Sequence, residues 1–303
     1  MKQFRGNTLS KTTFATNMSK FIADIRPVLD HTSCEQVQWL GKSVWGGTGE
    51  AVAPNPLLIT LTKNGGILLA AYLPDGPDEL DGMVGFVFGF PAHERDSNGQ
   101  TVAKHCSHQL AVLPNFRRKG IGLQLKLAQR DAVLAQGMTE KITWTFDPLQ
   151  RVNAIFNLES LGVISQTYIK NAYGNLDDDL NIGLTTDRLQ VDWNLTSPRV
   201  LRAIARQNQD TLSHEHLYIL SEPKTDKDCN VYIPTNKQYG ALAVPLPNKI
   251  DNRAKSEQAN LSLWRQFLES ALTSAFDIGY TLSGCHALPN MGHHYILITD
   301  PKT

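Results

Sequence analysis

The chain lacks several things, and each absence removes a class of function. Of its 303 residues, 29 are Lys or Arg and 29 are Asp or Glu, so it has no net charge. A general nucleic-acid binder is usually basic overall. That class is disfavoured, although Arg117, Arg118 and Lys119 form a local cationic patch. There is no apolar run of the roughly 18 residues that a membrane span needs, so no membrane partner is expected. The first residues, Met1-Lys-Gln-Phe-Arg-Gly-Asn-Thr-Leu-Ser10, lack the apolar core of a signal peptide, and a cytoplasmic protein is the expectation. Cysteine is scattered: Cys34, Cys106, Cys229 and Cys285 form no C-x-x-C pair, which argues against a zinc site or a disulfide framework. His105 and His108 lie near Cys106, and His293 adjoins His294, but no second ligand cluster accompanies them, so no metal is expected. The dinucleotide loop G-x-G-x-x-G and the triphosphatase loop G-x-x-x-x-G-K-[ST] are missing too.

What is present centres on Leu110-Ala-Val-Leu-Pro-Asn-Phe-Arg-Arg-Lys-Gly-Ile-Gly122. Gln109 to Leu113 reads as a strand that Pro114 and Asn115 end. From Leu123 the pattern is helical, with Leu123, Leu127 and Leu134 on one side and Gly137 as the stop. The first amides of a helix have no partner inside it, and the dipole is positive there. Gly120 and Gly122 let a ligand approach the backbone, and three cations precede them. Such a site suits a pyrophosphate or another polyanion.

The spacing Arg117, Gly120, Gly122, between a strand and a helix, resembles the R-x-x-G-x-G signature of the GNAT acyltransferase superfamily. The order continues with a strand at Lys141 to Asp147 and a short helix, about Val152 to Leu161, ending in Leu161-Gly162-Val163. Further details resemble a bacterial branch known mainly as predicted acetyltransferases: Trp144-Thr-Phe-Asp-Pro-Leu149, Asn153-Ala154, Phe156-Asn157, Asn171-Ala-Tyr-Gly174 and the run Gly183 to Trp193. The resemblance implies a mixed α/β sheet and acetyl-CoA or another acyl-CoA as co-substrate, with an amine as acceptor. It places Leu110, Ala111 and Val112 along the pantetheine arm, with Arg117, Arg118, Lys119, Gly120, Ile121, Gly122 and Leu123 around the pyrophosphate. Asn153 and Asn157 would bond the pantetheine amides. The family's usual Tyr acid is replaced by Leu158, and Arg151 stands where an Asn is common. Arg151 would pair with the carboxylate of a larger acyl group such as succinyl.

Along the rest of the chain, residues 1–29 read as an N-terminal arm, 30–193 as the acyltransferase domain and 194–303 as a C-terminal α/β subdomain, either a half-repeat of the first or an unrelated elaboration. Ser33 caps a first helix, Leu57 to Leu61 and Ile67 to Tyr72 are strands about an Asn64-Gly65-Gly66 hairpin turn, and Met83 to Phe90 is a buried strand. His93 to Gln100 reads as an exposed connection, Tyr168 to Tyr173 as a further strand, and Val231 to Ile233 as a short one. Leu261 to Phe276 is an amphipathic helix.

The chemistry needs few groups. His108, with an imidazole near neutrality, is the candidate base, and Tyr173, or else Tyr168, the candidate acid. Glu159 reads as solvated, Asp177-Asp178-Asp179 as a solvated turn, and Thr186-Asp187-Arg188 as either a buried ion pair or an acceptor clamp. The expectation is an acyl-CoA-dependent N-acyltransferase acting as a monomer or homodimer. A non-catalytic acyl-CoA-binding module of the same fold is the alternative.

Overall fold

Met83, Phe86 and Phe88 alternate with Val84 and Val87 along one strand, and both sets are buried, so the strand has a layer on each face. This strand lies inside the sheet of a computed structural model that describes residues 22–46, 52–174, 185–206, 217–233, 240–248 and 258–299. The expected mixed α/β class is what it has. The chain runs β1 (Asp24–Pro27), α1 (His31–Trp45), α2 (Asn55–Lys63), β2 (Ile67–Tyr72), β3 (Met83–Arg95), β4 (Thr101–Val112), α3 (Ile121–Gln136) and β5 (Lys141–Phe146). It continues through α4 (Arg151–Ile155), β6 (Ile164–Ile169), β7 (Arg188–Asn194), α5 (Pro198–Ile204), β8 (Leu217–Ile219), β9 (Ala241–Pro245), α6 (Gln258–Asp277), β10 (Thr281–Leu288) and β11 (Gly292–Ile298).

The strand order is β1-β2-β3-β4-β5-β7-β6-β10-β11-β9-β8. One core cluster packs α1 and α2 against one face through Val37, Leu40, Leu58, Phe86 and Phe88. The larger cluster packs α3, α4 and α6 with Leu125, Leu158, Trp193, Leu268 and Tyr295. The order is symmetrical about the β6–β10 junction, where the only registered pair is Leu282 with Ser165. On one side β4 and β5 are parallel and the order is β4-β5-β7-β6; on the other β8 and β9 are parallel and the order is β8-β9-β11-β10. Among the described residues, no helix is long and apolar enough to cross a membrane.

Several sequence readings change. Leu57 to Leu61 is not a strand but the middle of α2, which starts with Pro56 in its first turn and buries Leu58. A short apolar run is ambiguous by periodicity alone, and here one face suffices. Asn64 and Gly65 therefore end a helix rather than join a hairpin: Gly66 N–H bonds back to the Leu61 carbonyl at 2.7 Å. The first helix is capped by Asp30, whose carboxylate accepts from the Ser33 amide, not by Ser33. Asp24–Pro27, read as part of an arm, is a strand paired with β2. His93 to Arg95 extend β3, and β4 begins at Thr101 rather than Gln109, because the two strands pair along a long hairpin. The strand expected at Tyr168 to Tyr173 is Ile164–Ile169, and Val231 to Ile233 is not a strand. The acidic run Asp177 to Asp179 and most of the N-terminal arm lie outside the described residues.

The C-terminal elements are fastened to the loop after β5. Arg265 of α6, only 4% exposed, bonds Asp147 through both terminal nitrogens at 2.9 and 3.4 Å. Tyr295 of β11 donates to the Pro148 carbonyl at 2.7 Å. Glu159 is not solvated: its carboxylate accepts from the Cys285 amide of β10 at 2.7 Å. Arg199 of α5 donates to the carbonyls of Gly162 and Ser283. Replacing Arg265 by Ala strands the Asp147 carboxylate in a largely dry site, and loss of one partner from such a pair costs about 3–5 kcal/mol. Urea unfolding of Arg265→Ala is expected to show a loss of that order.

Candidate functional site

The site starts from a failure of strand pairing. β4 and β5 are parallel neighbours but register over only two pairs, His105 with Ile142 and Cys106 with Thr143. Beyond those pairs, Ser107 to Val112 and Trp144 to Phe146 diverge. The far edge of β4 stays paired with β3, and the far edge of β5 stays paired with β7. What remains is a wedge, open at the C-terminal ends of two parallel strands, whose facing edges carry backbone groups with no strand between them. Parallel sheets bind ligands at this kind of opening. On β4 the wedge is shaped by a bulge: Gly89 pairs with Ser107 and Phe88 with Gln109, so His108 is the extra residue.

β4 then feeds the Arg/Gly loop. Pro114–Phe116 forms one tight turn, and Arg117 turns back so that its Nε donates to the Val112 carbonyl at 3.1 Å. The Lys119 ammonium lies 4.7 Å over the Phe116 ring. The backbone takes positive φ at Arg118 (62°) and again at Gly120 (79°), a geometry that gathers amides into a concave, anion-attracting turn. α3 starts at once with no side-chain cap, and its first intrahelical bond runs from Gln124 N–H to Gly120 at 3.1 Å. The preceding amides of Ile121, Gly122 and Leu123 thus have no acceptor within the helix. A Cβ on Gly122 would find nothing nearer than a Leu110 methyl at 3.8 Å, so the space over it is open. The helix buries Ile121, Leu125, Lys126, Gln129 and Val133, a face turned from the Leu123–Leu127–Leu134 stripe read in the sequence.

The other candidate residues sit as follows. Along β4, Leu110 and Val112 face the α3 side, and Ala111 faces the α1 side. His108 is the bulged residue, with its ring 5.2 Å from Phe88 and 6.2 Å from Phe90, and desolvation lowers its pKa from the ordinary 6.5. Tyr173 is about half exposed, and its hydroxyl bonds Thr145 Oγ1 at 2.9 Å, which brings it to the β5 edge of the wedge. The Arg188 guanidinium lies 5.4 Å from the Tyr173 ring. Asn153 is exposed on α4. Asn157 is buried in a π-helical turn, Phe156–Ser160, that continues α4, and its Oδ1 accepts from the Trp144 indole at 3.2 Å. Leu158 is fully buried. The Arg151 charge acts on Cys285 and His293, on the β10–β11 side of α4. Thr186-Asp187-Arg188 is a structural knot: Asp187 accepts from the Tyr168 hydroxyl at 2.7 Å and the Asn171 amide at 2.9 Å. No group of three or more His, Cys, Asp or Glu among the described residues is placed to hold a metal.

One group went unnoticed in the sequence. Lys126, 2% exposed, points from α3 under the vertex of the wedge. Its Nζ donates to Ser107 Oγ at 2.9 Å and to Gln129 Oε1 at 3.2 Å, and lies 3.5 Å over the Trp144 ring. Ser107 Oγ also donates to Gln129 Oε1, at 2.9 Å. Burial pushes the Lys126 ammonium down to about 7, and burial together with that charge pushes His105 to about 4. A signal existed: Ile121, Leu125, Gln129 and Val133 are a four-residue stripe with one polar member.

No family model and no curated protein matches the chain by sequence. Among solved structures it is similar to Arabidopsis thaliana NAA60 in complex with acetyl-CoA, at 12% identity and a TM-score of 0.44, over 57% of this chain and 99% of that one. It is also similar to the ribosomal-protein-S18-alanine N-acetyltransferase from Escherichia coli, at 15% identity and a TM-score of 0.39, over 57% of this chain and 94% of that one. An acetyltransferase of the GNAT family from Streptococcus pneumoniae aligns at 15% identity and a TM-score of 0.41, over 56% of this chain and 98% of that one.

The Lys126 environment has a pH signature. Between about 7 and the ordinary 10.5 the unfolded chain holds a proton on Lys126 that the folded chain lacks, so this group adds stability as pH rises through that window. Compared with Lys126→Met, wild type is expected to gain stability in urea from pH 7 to pH 10. Parallel pH profiles for the two proteins would contradict the burial argument.

Proposed function

We propose that the chain is an acyl-CoA-dependent N-acyltransferase of the GNAT type, with residues 30–193 as the catalytic domain and 194–303 as a half-repeat subdomain. The observation that carries this reading is the β4–β5 wedge opening beside the uncapped N-terminus of α3. A pantetheine arm is an extended chain with two amides, and it suits an unpaired strand edge. Its pyrophosphate suits the amides of residues 118–123 and the neighbouring cations.

In the proposed reaction the acceptor amine attacks the thioester carbon. A C–N bond forms, the C–S bond breaks, and the leaving sulfur carries the electron pair. His108, neutral at pH 7 because its pKa is depressed, takes the proton that the amine must lose. Tyr173 stands at the other edge of the wedge, where its hydroxyl can return a proton to the thiolate. Holding the two reactants in place supplies the larger share: oriented reactants gain up to about 7–11 kcal/mol. The second reading, an acyl-CoA-binding module without turnover, is favoured by one observation, the buried Leu158 at the family's usual acid position.

Two outcomes test the proposal. Coenzyme A at about 100 times its dissociation constant should stabilise wild type by roughly 2.7 kcal/mol. Gly122→Ala, which meets no clash and improves helix propensity by up to about 1 kcal/mol, should melt no lower than wild type yet lose that response. Equal coenzyme A binding by wild type and the variant would remove the close backbone approach. Second, amine acylation should rise with pH through a His108 pKa below 6.5, and His108→Ala should lower kcat by about 100- to 10,000-fold. Tight coenzyme A binding with no turnover on any amine would leave the binding-module reading.

A further inference from the structure

Lys126 is a buried amine with no anionic partner among the described residues. It is 2% exposed, and its partners are a hydroxyl, an amide oxygen and an aromatic face. Buried charges are normally paired, because an unpaired one is expensive to desolvate. Beside it, Gln129 is 0% exposed, and its Oε1 is taken by both Ser107 and Lys126, which leaves its Nε2 with no acceptor. An amine and an amide donor are thus buried side by side without an anion.

Their location is specific. Ser107 is the first residue of β4 beyond the last pair with β5, and Trp144 is the first of β5 beyond it. Lys126 bonds one and lies under the other, so the group floors the vertex of the wedge. We infer that Lys126 and Gln129 receive the terminal carboxylate of the transferred acyl group, so that the enzyme selects a dicarboxylic acyl thioester over acetyl. This rests on the acyl-CoA reading above. One carboxylate oxygen accepts from the ammonium and the other from the Gln129 amide, a charge-assisted arrangement that an acetyl methyl cannot provide. No nearby group competes: His105 is neutral, Cys106 is held as a thiol by burial, and β5 and β7 present the Trp144 and Trp193 rings. Arg151, the sequence candidate for this role, acts on the β10–β11 side of α4 instead. The reaction itself is unchanged: the C–N bond forms, the C–S bond breaks, and the tail carboxylate takes no part.

The test is calorimetric binding of coenzyme A, acetyl-CoA, malonyl-CoA and succinyl-CoA to the full chain. Wild type should bind malonyl- or succinyl-CoA at least tenfold more tightly than acetyl-CoA. In Lys126→Met, and in Gln129→Leu to a lesser degree, that preference should vanish while coenzyme A binds as before. Acetyl-CoA binding as tightly as both dicarboxylic thioesters in wild type would overturn the inference, whatever the variants do. A preference that survives in a folded Lys126→Met would overturn it too. If coenzyme A binds but no preference appears, only this inference falls; if coenzyme A does not bind, the acyltransferase reading falls with it.

Discussion

Everything at the site follows from two strand pairs. β4 and β5 hold each other at His105–Ile142 and Cys106–Thr143 and nowhere beyond. Had they continued, the sheet would close and Ser107 to Val112 would spend their backbone groups on β5. The divergence is braced from both sides. The bulge at His108 bends β4 away, and Lys126, Gln129 and Trp144 lie beneath the vertex. α3 then starts beside the mouth, so a backbone edge and a positive helix end face the same opening.

The C-terminal part supports this arrangement. Arg265, Tyr295 and the Cys285 amide bind the β5–α4 loop and the π-helical turn after α4. The topology explains why they are there: the order β8-β9-β11-β10 mirrors β4-β5-β7-β6 across the β6–β10 junction. Among the described residues the mirrored half has no counterpart of α3 between β8 and β9, only a short turn at Asp226–Cys229. Among these residues it repeats the strand order without a long helix between its parallel pair.

The loop and its helix were legible because their signals are local. Pro114, the glycines and the apolar period of α3 need no tertiary context, and α3 spans Ile121–Gln136 much as read. α2 was misread because five apolar residues carry no period that separates helix from strand. Glu159 reads as solvated for the opposite reason: it is polar, and its partner, the Cys285 amide of β10, is remote in sequence. Lys126 could not be placed by its own identity, since a lysine on a helix is usually solvated. Only Gln129, within an otherwise apolar stripe, marked that face.

Amide hydrogen exchange with and without coenzyme A tests the account most directly. The wedge predicts slower exchange at residues 107–112 on β4, with a second zone at 118–123 around the start of α3, and little change in β8 to β11. Protection confined to residues 118–123 would mean that a phosphate binds the loop while the wedge stays empty. Protection in neither zone would contradict the account at its centre.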